Sequence, residues 1–228
     1  RMRVDRFAFT ANNVSYALAG DLLGYWRFFP AAEGWGRIPV MGFADVVSSS
    51  HEGVYEGERV FGFFTMATHL TIEAADAGPG HFMDAAAHRK DTAPAYRQYV
   101  RSNHDPLYRA EHEDALLLLR GLFLTSFLVD DFLAEKEGFG AETVLVSSAS
   151  SKTAIALAFL LSRRGGWRVV GLTSERNRAF VEGLGCYDET VSYGEVGLLP
   201  ADRPAVLVDH SGDGAVLARA ITLMERNG

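Results

Sequence analysis

The chain of 228 residues is 48% hydrophobic and 22% charged, the make-up of a globular protein with one large domain or two small ones. Its formal charge of −7 excludes the basic background of a nucleic-acid binder, and its longest apolar runs, such as Leu116–Leu119 and Val144–Val146, are far too short for a membrane span. Cys186 stands alone, which rules out an internal disulfide and a cysteine-based zinc site and is compatible with a cytoplasmic location.

Residues 3–10 alternate through Val4, Phe7 and Phe9 and predict a strand. Ala11–Gly24 reads as a loop or short helix, followed by the aromatic stretch Tyr25, Trp26, Phe28, Phe29 and Trp35. Short apolar runs follow at Ile38–Met41, Ala44–Val47, Arg59–Phe64 and His69–Ile72, with a hairpin-type turn at Glu56-Gly57. This spacing predicts a small β-barrel. Residues 76–112 have weak periodicity and read as a loop-rich insertion, so the first domain is placed at 1–112. Its histidines His81, His88, His104 and His112 lack the helical spacing of metal ligands and read as solvated loop residues.

The second domain is placed at 113–228. From Asp114 to Glu137, Leu117, Leu118, Leu122, Leu124, Phe127, Leu128 and Phe132 fall on one broad apolar helical face, ended by Gly138 and Gly140. Strands at Thr143–Val146, Arg168–Leu172, Thr190–Ser192 and Ala205–Val208 then alternate with helices at Thr153–Ser162, Arg176–Leu184 and Ala215–Arg226. That order predicts a Rossmann-type parallel sheet with right-handed crossovers.

In such a fold the first strand ends in a turn whose backbone N–H groups, with the dipole of the next helix, attract a pyrophosphate. Here the turn is Ser147-Ser148-Ala149-Ser150-Ser151-Lys152-Thr153-Ala154, with Ser148, Ser151 and Ala154 where glycines are expected. Serine is small and can donate to phosphate, but it lacks glycine's freedom to take positive φ. Ser148, Ser150, Ser151, Lys152 and Thr153 are the candidate phosphate contacts, and the same run also suits an ordinary Ser/Thr-capped helix that binds nothing. At the end of the second strand, Ser174, Arg176 and Arg178 suit the 2′-phosphate of NADPH; an NAD site carries Asp or Glu there, and Glu175 lies one step beyond the expected position. His210, after the fourth strand, is the histidine best placed to face a nicotinamide, and a structural role fits it as well.

Several stretches resemble a bacterial family known by a domain of unknown function, DUF2855: V-D-R-F-A-F-T-A-N-N (4–13), G-Y-W-R-F-F-P-A (24–31), E-G-W-G-R-I-P-V-M-G-F-A-D-V-V (33–47), T-S-F-L-V-D-D-F-L (125–133), S-S-A-S-S-K-T-A (147–154) and G-L-T-S-E-R-N-R-A-F-V-E-G-L-G-C-Y-D (171–188). Domain order, G-E-R-V-F-G (57–62) and the serine-rich turn also resemble the medium-chain dehydrogenase/reductase superfamily, in its zinc-free quinone oxidoreductase and enoyl reductase branch. The resemblance implies a GroES-like β-barrel before a Rossmann domain and NAD(P)H as cofactor, with Ser174, Arg176 and Arg178 favouring NADPH and the aromatic run an apolar or conjugated small-molecule substrate. Zinc members carry a G-H-E motif where this chain has Gly42-Phe43-Ala44, so no metal is expected. The branch often uses a tyrosine as proton donor, and Tyr16 and Tyr25 fall in the matching region.

The expectation is an NADPH-dependent, zinc-free reductase of an activated carbonyl or conjugated double bond, with a proton from Tyr or water. The aromatic run and Trp35 would line the substrate pocket or fill the core. The alternative is a non-catalytic ligand-binding or scaffold member. The strand-like start at Arg3 and the end at Gly228 read as an incomplete chain, and either further strands or a homodimer partner would cover the open sheet edge.

Overall fold

The computed structural model describes residues 1–200 and 203–225. The chain divides into two compact units, Arg1–Leu118 and Leu119–Gly228. Arg226, the predicted end of the last helix, lies outside the described residues.

The first unit is built on strands β1 (Met2–Phe7), β2 (Pro39–Val46), β3 (Arg59–Thr65), β4 (His69–Leu70), β5 (Ala74–Ala75), β6 (His81–Asp84) and β7 (Gln98–Arg101). Helix α1 (Ala11–Leu18) follows β1, and the single turn α2 (Pro94–Arg97) leads into β7. The strands form one seven-stranded sheet in the order β4-β1-β2-β3-β7-β6-β5, antiparallel throughout. The runs Ile38–Met41 and Ala44–Val47 merge into the single strand β2, and residues 76–112 contribute β6 and β7 to the sheet. Strands of four residues are too short to leave a clear alternation, which is why that stretch looks irregular in the sequence.

Val40, Ala44, Val60, Phe64, Phe82 and Tyr99 form the core of this unit. Gly42 and Gly62 face each other across β2 and β3, and a Cβ on Gly62 would stand 2.7 Å from the Tyr99 ring. A glycine is needed there so that the aromatic ring can lie on the strand. Polar groups also enter this core. Arg89 is fully buried; it donates to Asp84 at 3.0 Å and to the Tyr99 hydroxyl at 2.9 Å, and its guanidinium lies 4.8 Å from the Phe29 ring centre. Arg59 holds three carboxylates, Asp5, Asp45 and Glu113.

The second unit contains most of α3 (Glu113–Glu135), then β8 (Thr143–Val146), α4 (Lys152–Arg164), β9 (Arg168–Thr173), α5 (Arg178–Glu182), β10 (Glu189–Ser192), β11 (Ala205–Val208) and α6 (Gly214–Glu225). Its four strands are parallel in the order β10-β9-β8-β11. All four predicted strands and their helices are present. Ala154, Leu157, Ala158 and Leu161 have helical spacing and bury one face of α4 against Val144 and Val146. Leu145, Val170, Leu172 and Val191 pack on the other side with Ala220 and Leu223 of α6.

Helix α3 forms as predicted, but of its apolar row only Leu117 is buried. Leu124, Phe127, Leu128 and Phe132 are 47–57% exposed, while Ser126, Asp130 and Leu133 are buried. The Ser126 hydroxyl donates to the Thr153 carbonyl at 2.8 Å, and Asp130 accepts from Arg164. Leu133, a small polar residue and a specific ion pair dock this helix, and the two polar contacts carry no apolar signal.

Candidate functional site

The site lies at the carboxyl ends of the parallel strands. The sheet runs from β8 to β9 and β10 on one side and to β11 on the other, so the strand order reverses beside β8. Strand ends at such a reversal form a crevice, the usual ligand position in open α/β sheets.

Ser147, the residue after β8, is fully buried and joins the two strand ends at the reversal. Its hydroxyl donates to Asp209 and accepts the N–H groups of His210 at 2.8 Å and Ser211 at 3.1 Å. Asp209 also accepts from the Ser211 hydroxyl at 2.7 Å and from the Gly212 N–H at 3.2 Å. Burial opposes the Asp209 charge, but the hydrogen bonds from Ser147 and Ser211 outweigh it and hold its pKa down at about 2.

Ser148 takes the left-handed conformation, φ +49°. The geometry of a glycine-rich turn is therefore present without the glycine, contrary to the expectation that serine could not supply it. The Ser148 N–H donates to the Tyr193 hydroxyl at 3.1 Å, Tyr187 donates to the Ala149 carbonyl at 2.9 Å, and the Ala149 N–H reaches the Leu172 carbonyl at 3.0 Å. These contacts offset the cost of a strained residue, about 1–2 kcal/mol. Gly171 completes the fit, since a Cβ there would stand 2.9 Å from the Tyr187 ring and 3.0 Å from the Ala149 Cβ. Ser151 caps α4 by accepting the Ala154 N–H at 3.2 Å. The N–H groups of Ser150, Lys152 and Thr153 have no intramolecular acceptor among the described residues. Lys152 is exposed and Thr153 half-buried at the same helix start.

The end of β9 meets this turn through Asn177, whose side-chain amide donates to the Ser150 hydroxyl at 3.0 Å. The Ser174 hydroxyl is buried without a partner among the described residues. Arg176 is exposed and has no ion pair among them. Arg178 is different: it pairs with Glu195 and has Glu175 at 3.6 Å and Glu182 at 4.0 Å. The two arginines predicted to act together are thus one free and one engaged. His210 is half-buried, with its Nε2 unpartnered among the described residues. Burial pushes its pKa down against the pull of Asp209, which favours a neutral ring.

Tyr16 and Tyr25 belong to the first unit, where their ring centres stand 4.5 Å apart beside Phe28, Phe29 and Phe63. Burial raises both phenols, and a hydrogen bond with Tyr96 raises Tyr25 further. Phe28 and Phe29 fill core, whereas Trp35 is 81% exposed. Trp26, Arg27, Pro30 and Trp35 line an open cavity of about 520 Å³ with His88 and Asp91.

A family model described as "Protein of unknown function (DUF2855)" matches residues 7–227. The chain belongs to that family. No curated protein matches this DUF2855 chain. Among solved structures, the quinone oxidoreductase from Coxiella burnetii is 18% identical, with a TM-score of 0.53 over 100% of this chain and 64% of that one. The quinone oxidoreductase from Thermus thermophilus, solved also in complex with NADPH, is 17% identical, with a TM-score of 0.53 over 98% and 61%. The yhdH oxidoreductase from Salmonella enterica, in complex with NADP, is 15% identical, with a TM-score of 0.53 over 98% and 62%. At these identities the likeness is one of fold, and the chain spans less than two thirds of each structure's length.

Four residues of the site escape a reading of the sequence. Ser147 and Asp209 look like ordinary ends of apolar strands, although Asp209-His210-Ser211-Gly212 has the composition of an Asx turn. Tyr193 and Glu195 follow β10 and reach the turn and Arg178 across 45 and 17 residues of chain. Nothing local marks either. Among the described residues no helix is long and apolar enough to cross a membrane.

Proposed function

We propose that this chain carries the cofactor site of an NADPH-dependent, zinc-free reductase of an activated carbonyl or conjugated double bond. In this reading the first unit is GroES-like, the second is a Rossmann unit, and the protein is cytoplasmic. The observation that carries the proposal is the turn after β8. There a left-handed Ser148 and the unpaired N–H groups of Ser150, Lys152 and Thr153 stand beside a strand reversal. That is an anion site of the kind a dinucleotide pyrophosphate uses.

Other groups fit the same ligand. The orphaned Ser174 hydroxyl and the free guanidinium of Arg176 are donors at the end of β9, where a ribose and its 2′-phosphate would bind. The NADP(H) complexes of structures sharing the fold point the same way. The nicotinamide, when bound, supplies the hydride; the protein's part is to bind, orient and exclude water. His210 is a neutral, half-buried ring held by its own backbone N–H to Ser147, suited to packing against a ligand. Tyr16 and Tyr25 are protonated at neutral pH and can donate to a strongly basic centre in the substrate, although burial raises both phenols and makes them weaker acids than an ordinary tyrosine. The zinc-free reading is supported by Phe43, an apolar residue buried against Phe61 where zinc relatives carry the histidine of their motif.

A specific observation favours the non-catalytic alternative: Arg178 is already occupied by carboxylates. Energy transfer from tryptophan to NADPH separates the two. The reductase reading expects saturable binding, with Arg176→Ala weakening NADPH roughly tenfold while NADH changes little. Absence of a response to both NADPH and NADH at high concentration overturns it.

A further inference from the structure

Arg178 is surrounded by three carboxylates, and they are not equivalent. Glu175 and Glu182 lie on its own helical segment, with side chains 72% and 56% exposed, at 3.6 and 4.0 Å. Exposed pairs of this kind hold a guanidinium weakly. Glu195 comes from the segment after β10 and makes the close contact. It is also fixed in place: the Ser192 hydroxyl donates to the same Oε2 at 3.0 Å, and this bond together with that from Arg178 holds the Glu195 pKa below the usual carboxylate range. Arg178 and Glu195 are 29% and 44% exposed, so their contact is partly shielded from water and rests on closeness and the Ser192 bond.

A carboxylate and a phosphate monoester compete for the same face of a guanidinium, because both present oxygens at the spacing of its N–H fork. With Arg176 and Arg178 set against Glu175, Glu182 and Glu195, the end of β9 also carries more negative than positive charge. A dianion arriving there is repelled until one carboxylate moves or is removed. We infer that Glu195 is a specificity-determining residue that stands in for a 2′-phosphate on Arg178. It weakens NADPH relative to NADH, and Arg176 alone makes the first contact with the phosphate. This inference rests on the reading that the turn after β8 binds a dinucleotide.

The test compares the dissociation constants of NADPH and NADH for the wild type, Glu195→Gln and the double variant Glu195→Gln/Arg178→Ala. Binding is followed by energy transfer from tryptophan at low and moderate salt. Glutamine keeps the size of the side chain and its bond to Ser192 while removing the charge. Glu195→Gln is expected to tighten NADPH roughly three- to tenfold and leave NADH within twofold. The added Arg178→Ala change cancels the gain, and the salt dependence of NADPH binding is steeper in Glu195→Gln than in the wild type. If the two nucleotides shift together, or NADPH binding is unchanged or weaker in Glu195→Gln, the inference is overturned while cofactor binding stands. If neither nucleotide binds the wild type or Glu195→Gln, the dinucleotide reading itself fails.

Discussion

The two units place their buried polar residues differently. In the first, charge is part of the core: Arg89 is fully buried with Asp84, and Arg101 pairs with Glu58 at small exposure. In the second, both faces of the parallel sheet are packed by Val, Leu and Ala; Ser126 and Asp130 are buried where α3 docks on α4, Thr143 at the start of β8, and Ser147, Thr173 and Ser192 at or just beyond the carboxyl ends of the strands. The difference follows from geometry. An antiparallel sheet of short strands leaves turns and backbone carbonyls that side chains must satisfy, whereas a parallel sheet satisfies its interior through its own ladders. The second unit therefore keeps its buried polar groups outside the middle of the sheet, and those at the carboxyl ends of the strands can build a site.

The sharpest way to break this comparison is Arg89→Ala. It leaves Asp84 buried without its cation and is expected to cost about 3–5 kcal/mol in urea unfolding. A loss under about 1 kcal/mol would mean that the first core does not depend on its charges. Leu157→Ala in α4 tests the apolar side: with Leu157 fully buried, the cavity should cost about 3 kcal/mol in the same measurement.

Ser147→Ala probes the strand-end polar groups and should cost about 1–2 kcal/mol, since Asp209 loses a donor and the His210 N–H loses its acceptor, while the Ser211 N–H keeps Asp209. The sign with pH is definite. A carboxyl depressed to about 2 in the folded protein contributes its stabilisation above the ordinary Asp pKa, and that contribution disappears as pH falls through about 2. The advantage of wild type over Ser147→Ala should therefore shrink below about pH 4. An NMR titration should show the Asp209 pKa rising in the variant. A pKa that stays put would remove Ser147 from its role.

The smallest expected effect is that of Ser148→Gly. Relieving a φ of +49° should stabilise the protein by a few tenths to about 1 kcal/mol, less the extra entropy of the unfolded glycine. Thermal unfolding measures it, and a destabilised variant would show that the serine side chain, rather than the turn's shape, matters at that position.

Much of this was legible along the chain. Strand β8 carries Thr, Val, Leu and Val in unbroken succession, the pattern of a strand buried on both faces, and is buried throughout; β11, with Ala, Val, Leu and Val, lies at the sheet edge and is half-buried. The helix at 113–135 was equally plain, but its buried face was not, because Ser126 and Asp130 dock it and apolar residues remain outside. The serine-rich turn could be located from its place between a strand and a helix. Its left-handed Ser148 could not be foreseen, since Tyr193 and Tyr187 hold the turn from distant positions.

Periodicity and punctuation act over a few residues, so the strands and helices of the second unit and their order are written in the sequence, while β6 and β7 of the first are not. Only the tertiary structure decided which polar groups meet: Ser147 with Asp209, Tyr193 with Ser148, and Glu195 with Arg178. Those pairs set the charge and shape of the site, and they arise from parallel strands that bring residues far apart in the chain to one end of a sheet.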